Sequence, residues 1–193
     1  MEIAVVKYNA GNIGSVANAL YRLGQACSVT DEPEEIQRAD KVIFPGVGEA
    51  SSTMKYLKDK GLDIIIPALK QPVLGICLGM QLMCSWSEEG DTPALGIFPE
   101  KVERFRGSIK VPHMGWNSIR FNQDELFRGL KPDCYVYFVH SYFAETGDAT
   151  LATCDYGGRF SAALHRDNFY AVQFHPEKSG DVGQLILRNF MEL

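Results

Sequence analysis

The segment Gly75-Ile76-Cys77-Leu78-Gly79 constrains this chain more than any other. The apolar run Pro72-Val73-Leu74 leads into it, so a cysteine stands where a strand gives way to a helix, with glycine two positions away on each side. That is the cysteine form of the G-x-S-x-G nucleophile elbow, a turn so sharp that side chains beside it must shrink to nothing. The sulfur then sits at the carboxyl end of a strand and the amino end of a helix. There the helix dipole and unpaired backbone N–H groups favour thiolate over thiol.

The order of elements around the elbow predicts an α/β fold. Ile3–Val6 reads as a buried strand, residues 9–12 (Asn-Ala-Gly-Asn) as a loop, and Ser15 to Leu23 as a helix closed by Gly24. Cys27–Thr30 and Lys41–Phe44 read as strands, the second running into the loop Pro45-Gly46-Val47-Gly48. Helical patterns cover about Ser51 to Lys60 and Leu62 to Lys70, ahead of the strand that ends at Cys77. Strands alternating with helices predict a mostly parallel sheet covered on both faces, with ligands at the strands' carboxyl ends. Beyond Gly90 the pattern changes. Tyr135–Val139, Thr150–Cys154, Ser161–Leu164 and Tyr170–Phe174 predict an antiparallel extension, and a last helix runs from about Asp181 to Met191. With no repeat, low-complexity tract or linker, residues 1–193 are expected to form one domain.

Composition narrows the class. A net charge of −5 with scattered arginine and lysine gives no electrostatic reason to expect nucleic acid. No apolar run approaches the roughly 20 residues that cross a bilayer, and Met1-Glu2-Ile3-Ala4-Val5-Val6 reads as a strand, not a signal peptide. Five cysteines, an odd count without a C-x-x-C pair, point to free thiols in a reducing cytoplasm, with neither a disulfide scaffold nor a metal site. Cys27, Cys84, Cys134 and Cys154 read as small buried hydrophobes.

A nucleophilic thiol needs a base, and the chain holds four histidines. His165 reads as part of a solvated turn. His113 reads as a loop residue with a structural or interface role, and His140 as a satisfied core histidine at the end of an aromatic strand. His175 differs: in Gln173-Phe174-His175-Pro176-Glu177 it ends an apolar stretch, and a proline-fixed turn brings Glu177 close. Cys77, His175 and Glu177 thus form a candidate catalytic triad, in which imidazole takes the thiol proton and the carboxylate orients the ring. Acyl transfer also needs donors for the developing oxyanion. The Leu78 amide is one candidate, and the loop Gly46-Val47-Gly48 supplies the second.

These stretches resemble the triad (class I) glutamine amidotransferases over the whole chain. Pro45–Gly48, Cys77–Gln81 and Gln173–Ser179 are shared widely in that class. Val139-His140-Ser141-Tyr142 also matches, and Pro112-His113-Met114-Gly115-Trp116-Asn117 narrows the resemblance to the glutaminase subunits of imidazole glycerol phosphate synthases. The family more usually has glycine after the aromatic residue of Tyr8-Asn9-Ala10-Gly11-Asn12, so this chain departs there. The resemblance implies a three-layer, flavodoxin-like fold and hydrolysis of glutamine through a glutamyl thioester on Cys77, without a cofactor. It implies that Gln81 and Glu89, with backbone near His140, Ser141 and Tyr142, hold the α-amino and α-carboxylate ends of glutamine. It implies that a peptide near Val47 rearranges when a partner binds. The implied partner is a (β/α)8-barrel cyclase that consumes the ammonia in histidine biosynthesis, with Asn12, Met114, Trp116, Asn117 and Lys178 at the interface. Trp116, in what reads as a short loop of large side chains, suits an interface anchor.

Two other readings share the elbow and triad. A stand-alone γ-glutamyl cysteine hydrolase would be fully active without a partner and has no use for the Pro112–Asn117 run. A glutaminase serving another synthase, such as a surface-sugar pathway paralogue, is chemically nearer.

Overall fold

The computed structural model describes residues 1–8 and 12–193; the loop expected at Asn9, Ala10 and Gly11, and the departure there from the family pattern, lie outside the described residues. In chain order the elements are β1 (Ile3–Val6), α1 (Ile13–Arg22), β2 (Ser28–Thr30), α2 (Pro33–Arg38), β3 (Lys41–Phe44), α3 (Ala50–Asp59), α4 (Leu62–Ala68), β4 (Val73–Ile76) and α5 (Leu78–Met83). The second part holds β5 (Trp86–Ser87), β6 (Thr92–Pro93), β7 (Lys101–Arg104), β8 (His113–Ser118), β9 (Arg120–Phe121), β10 (Tyr135–His140), β11 (Tyr142–Ala144), β12 (Thr150–Asp155), β13 (Arg159–Arg166), β14 (Phe169–Val172) and α6 (Gly180–Glu192).

Strands β2-β1-β3-β4-β14 run parallel in that order, and the sheet continues through β13, β11 and β7 in antiparallel steps. Every residue of β1, β3 and β4 is buried, as strands covered on both faces require. Their alternation divides the core. Ala4, Val6, Val42 and Phe44 pack with Ile36, Leu57, Leu62 and Ile66 on one side. On the other, Ile3, Val5, Ile43 and Ile76 pack with Val16, Leu20, Ile186 and Phe190 of α1 and α6. Gly24, at φ +81°, ends the first helix in the left-handed conformation that glycine tolerates. Glu49 caps α3 by accepting from the amides of Ser51 (3.0 Å) and Ser52 (2.8 Å), and these bonds hold its carboxyl down at about 2.

Several expectations are corrected. His113, Met114, Trp116 and Asn117 do not lie in a loop. They form β8, antiparallel to β10 in register His113↔His140 through Ser118↔Tyr135. Gly115 and Asn117 have poor strand propensity, but the β-ladder pays their local cost by pairing six residues with an aromatic partner strand. His165 is not in a solvated turn: it lies in β13, 3.0 Å from the Asp124 carboxylate and stacked on Tyr170. Cys27 and Cys134 are half-buried beside strand starts, whereas Cys84 and Cys154 are buried, and all five thiols are free. Helix α2 carries a signal that could have found it: Pro33 at its first turn, followed by Glu34 and Glu35. No helix of the described residues is long and apolar enough to cross a membrane.

Candidate active site

Cys77 occupies the step from β4 to α5 with φ 52° and ψ −107°, outside the regions that side-chain-bearing residues favour. Its amide donates to the Val172 carbonyl (2.8 Å), tying the elbow to the neighbouring strand. The flanking glycines follow from packing. A Cβ on Gly79 would fall on the Phe44 carbonyl, and one on Gly75 would lie 3.0 Å from the Met80 amide nitrogen.

Because β14 is parallel to β4 with Val172 beside Ile76, its continuation carries Gln173, Phe174 and His175 past Cys77. A short 3-10 turn over Pro176–Lys178 folds Glu177 back, so that His175 Nδ1 lies 2.7 Å from Glu177 Oε1. Both side chains are 0% exposed, and His175 Nε2, the nitrogen left for the thiol, has no hydrogen-bond partner among the described residues. Burial disfavours the imidazolium, but Cys77 and Glu177 outweigh it and the His175 pKa is raised. Such a ring is poised to hold the proton a nucleophilic sulfur gives up.

Cys77 opens onto a cavity of about 280 Å³ that Val47, Gly48, Leu78, Gln81, Glu89 and the stretch 139–142 line. Elements far apart in sequence therefore bring Val47, Gly48, Leu78, Gln81, Glu89, His140, Ser141 and Tyr142 together around the sulfur. Gln81 Nε2 donates to the Tyr142 carbonyl (2.9 Å) and to Gln173 Oε1 (3.0 Å). With both amide hydrogens engaged, Gln81 offers the cavity its carbonyl oxygen, an acceptor suited to an ammonium group. Glu89 accepts from the Ala50 amide (2.8 Å), yet burial raises its carboxyl pKa.

One of the two donors expected for an oxyanion is engaged. The Leu78 amide donates to the Gly46 carbonyl (3.2 Å), so that carbonyl must turn away before the amide can meet an oxyanion. Tyr8, buried edge-on against Phe44, donates its hydroxyl to the Pro45 carbonyl at the start of the same loop.

Asn12, expected at a partner interface, is instead buried beneath the triad, where its amide donates to Glu177. Asn117 is half-buried and bonds inward to His113 (3.3 Å) and to the Asp155 carbonyl (3.2 Å). Met114 (60%) and Trp116 (55%) are exposed, as is Tyr135 (60%) on the partner strand, while Lys178 is exposed near the catalytic turn. Gln173 is a functional candidate that residue-type reasoning missed. The signal was its spacing, since positions 173 and 175 of an extended segment point to one side.

His113 Nδ1 lies 2.9 Å from His140 Nε2, and His140 Nδ1 lies 2.7 Å from the Tyr142 carbonyl. A carbonyl only accepts, so His140 carries a proton on Nδ1; with burial disfavouring a second proton, its Nε2 accepts from His113 Nδ1. Burial pushes His113 down to about 4 and His140 down to about 3. Unfolded histidines take up a proton near pH 6.5, so the unfolded state binds more protons below that value and stability falls as pH drops from 6.5 toward 4. His175 runs the other way, but its contribution is already complete below pH 6.5 and does not offset the loss. Thermal unfolding should show a loss of about 4 kcal/mol between pH 6.5 and 4.5, about 2 from each ring, and His140→Gln should roughly halve that slope. An unchanged slope in the variant would contradict this account.

Comparison with known proteins is specific. A model of the glutamine amidotransferase class-I family matches residues 4–193. The chain is 58% identical to the imidazole glycerol phosphate synthase subunit HisH of Bacteroides fragilis, over 100% of both chains. It is 48% identical to the protein of that name from Pasteurella multocida, over 98% of this chain and 97% of the other. A glutamine amidotransferase crystal structure matches with a TM-score of 0.76 at 20% identity, covering 98% of this chain and 97% of that one, a likeness of fold.

Proposed function

Since the chain belongs to the class I glutamine amidotransferases, we propose that it works as the glutaminase subunit of an imidazole glycerol phosphate synthase. The observation that carries the chemistry is the positive-φ cysteine whose sulfur shares one sheet end with a buried His175–Glu177 pair. Cys77 Sγ attacks the γ-amide carbon of glutamine. Ammonia leaves with a proton from His175, and a water activated by the same ring hydrolyses the glutamyl thioester to glutamate. Glu177 orients His175. Gln81 receives the substrate's α-ammonium, and the peptides near Ser141 and Tyr142 meet its carboxylate end. The half-buried Glu89 at the cavity wall supports a role beside Gln81.

The Leu78–Gly46 bond supports a gated site. In this reading a partner turns the peptide near Val47, freeing the Leu78 amide and presenting a second donor to the oxyanion. The partner is a (β/α)8-barrel cyclase that consumes the ammonia. The β8–β10 ribbon supports its docking there, because Met114, Trp116 and Tyr135 expose apolar surface on one ribbon whose register sets Trp116 against Tyr137. Lys178 lies nearby as a candidate ion-pair donor. We take residues 1–193 as one domain working in the cytoplasm, a placement that five free thiols support.

Glutamate release should be very low for the chain alone and rise by orders of magnitude with the barrel cyclase and its ribonucleotide ligand. Full activity without that partner would point to a free-standing hydrolase, and stimulation by a different synthase to another pathway.

A further inference from the structure

We propose that Gln173 is a positioning residue for the nucleophile, donating its side-chain amide to Cys77 Sγ and so holding the sulfur in its thiolate form. The inference rests on the reading of Cys77 as nucleophile and adds to it a donor outside the triad.

The orientation of the Gln173 amide is imposed from a distance. The Tyr142 carbonyl can only accept, and it accepts from His140 Nδ1 (2.7 Å) and Gln81 Nε2 (2.9 Å). Gln81 therefore turns its nitrogen to that side, and the same nitrogen lies 3.0 Å from Gln173. Gln173 must meet it with its oxygen, which leaves Gln173 Nε2 facing Cys77 Sγ at 3.6 Å. Reversing the Gln173 amide would set N–H against N–H at Gln81 and oxygen against sulfur at Cys77. Both contacts are unfavourable, and in a residue that is 0% exposed no water relieves them.

The bond discriminates between forms of the sulfur. In the thiol form S–H has an acceptor in the Val139 carbonyl at 3.9 Å. Once the proton has gone to His175, Sγ only accepts, and the Gln173 N–H becomes a charge-assisted donor. An amide does not titrate in this range, so the donor is present at every working pH. The other groups facing Cys77 are His175 with Glu177 behind it, Tyr8, and, across the cavity, Glu89 and His140. All of them remain when Gln173 is replaced, so a change in thiol titration reports on Gln173.

The test is the pH dependence of iodoacetamide alkylation, followed by peptide mass at Cys77 so that the four other cysteines do not contribute. Glutamate release is measured in parallel on the complex with the cyclase. Gln173→Leu keeps the side chain's approximate size and removes the donor. Its alkylation midpoint should move up by about one pH unit, a tenfold smaller thiolate fraction, and kcat should fall about tenfold with a smaller change in KM. If that variant does not fold, Gln173→Glu keeps the acceptor for Gln81 but sets a carboxylate against the sulfur, and its midpoint should rise further. Coincident midpoints for wild type and a folded variant would overturn the role of Gln173, because a residue that merely packs leaves the titration in place. Failure of the underlying reading looks different: alkylation of Cys77 in the wild type would then leave glutaminase activity intact.

Discussion

Cys77→Ala should lower glutamine hydrolysis by about 10⁴-fold or more, the scale on which removing a triad nucleophile acts. The loss should appear in kcat, because the residues proposed to hold glutamine (Gln81, Glu89 and the stretch 140–142) are separate from the sulfur. Circular dichroism and partner affinity should be unchanged. Cys77 is held by its backbone, through the Val172 carbonyl, and alanine at φ 52° trades one strained side chain for a smaller one. The complex should still make product from added ammonia, since only the ammonia supply is removed. A variant keeping a tenth of the glutamine-dependent rate would end the triad assignment.

Gly79→Ala should be the most damaging single methyl addition in the elbow. The new Cβ would sit on the Phe44 carbonyl, which belongs to the backbone at the end of β3 and cannot rotate away as a side chain would. Either α5 lifts off the sheet or β3 shifts, and both carry the site: α5 bears Gln81, and β3 leads directly into Pro45–Gly48. We expect a loss of about 3 kcal/mol, at the upper end of overpacking costs, or a drop in Tm of roughly 6–12 °C for a chain of this size. Gly14→Ala is the control. No atom lies within 4 Å of its added Cβ and its φ is not positive, so Tm should hold or rise slightly. Equal melting temperatures for the two variants would show that the elbow's close approach is not what its glycine serves.

The parallel half of the fold was legible because its strands are buried on both faces and leave continuous apolar runs, as at Ile3–Val6 and Val73–Ile76. The β8 strand was not. Its exposed Met114 and Trp116, glycine at position 115 and polar Asn117 make a local pattern that looks like a loop, and only the facing β10 turns it into a strand. The short α2 escaped for a similar reason, offering a single buried residue, Ile36.

For the site, local chemistry named the elbow and the His-Pro-Glu turn, since each is a short-range geometric device written in adjacent residues: Cys77 between Gly75 and Gly79, and Glu177 two positions after His175. What residue type could not reach was every contact between elements far apart in the chain. Asn12 was expected at a surface and lies under Glu177. Leu78 was expected to offer a free amide and finds it bound to Gly46. Gln173 was one letter of a motif and proves to be a neighbour of the sulfur. The sequence by itself thus determined the reactive groups and the α/β frame, because strained turns and apolar periods are local properties of a chain. The tertiary structure alone decided which donor faces which acceptor, because a buried amide's orientation depends on partners brought within 3–4 Å where β14 pairs with β4 and α5 packs over their ends.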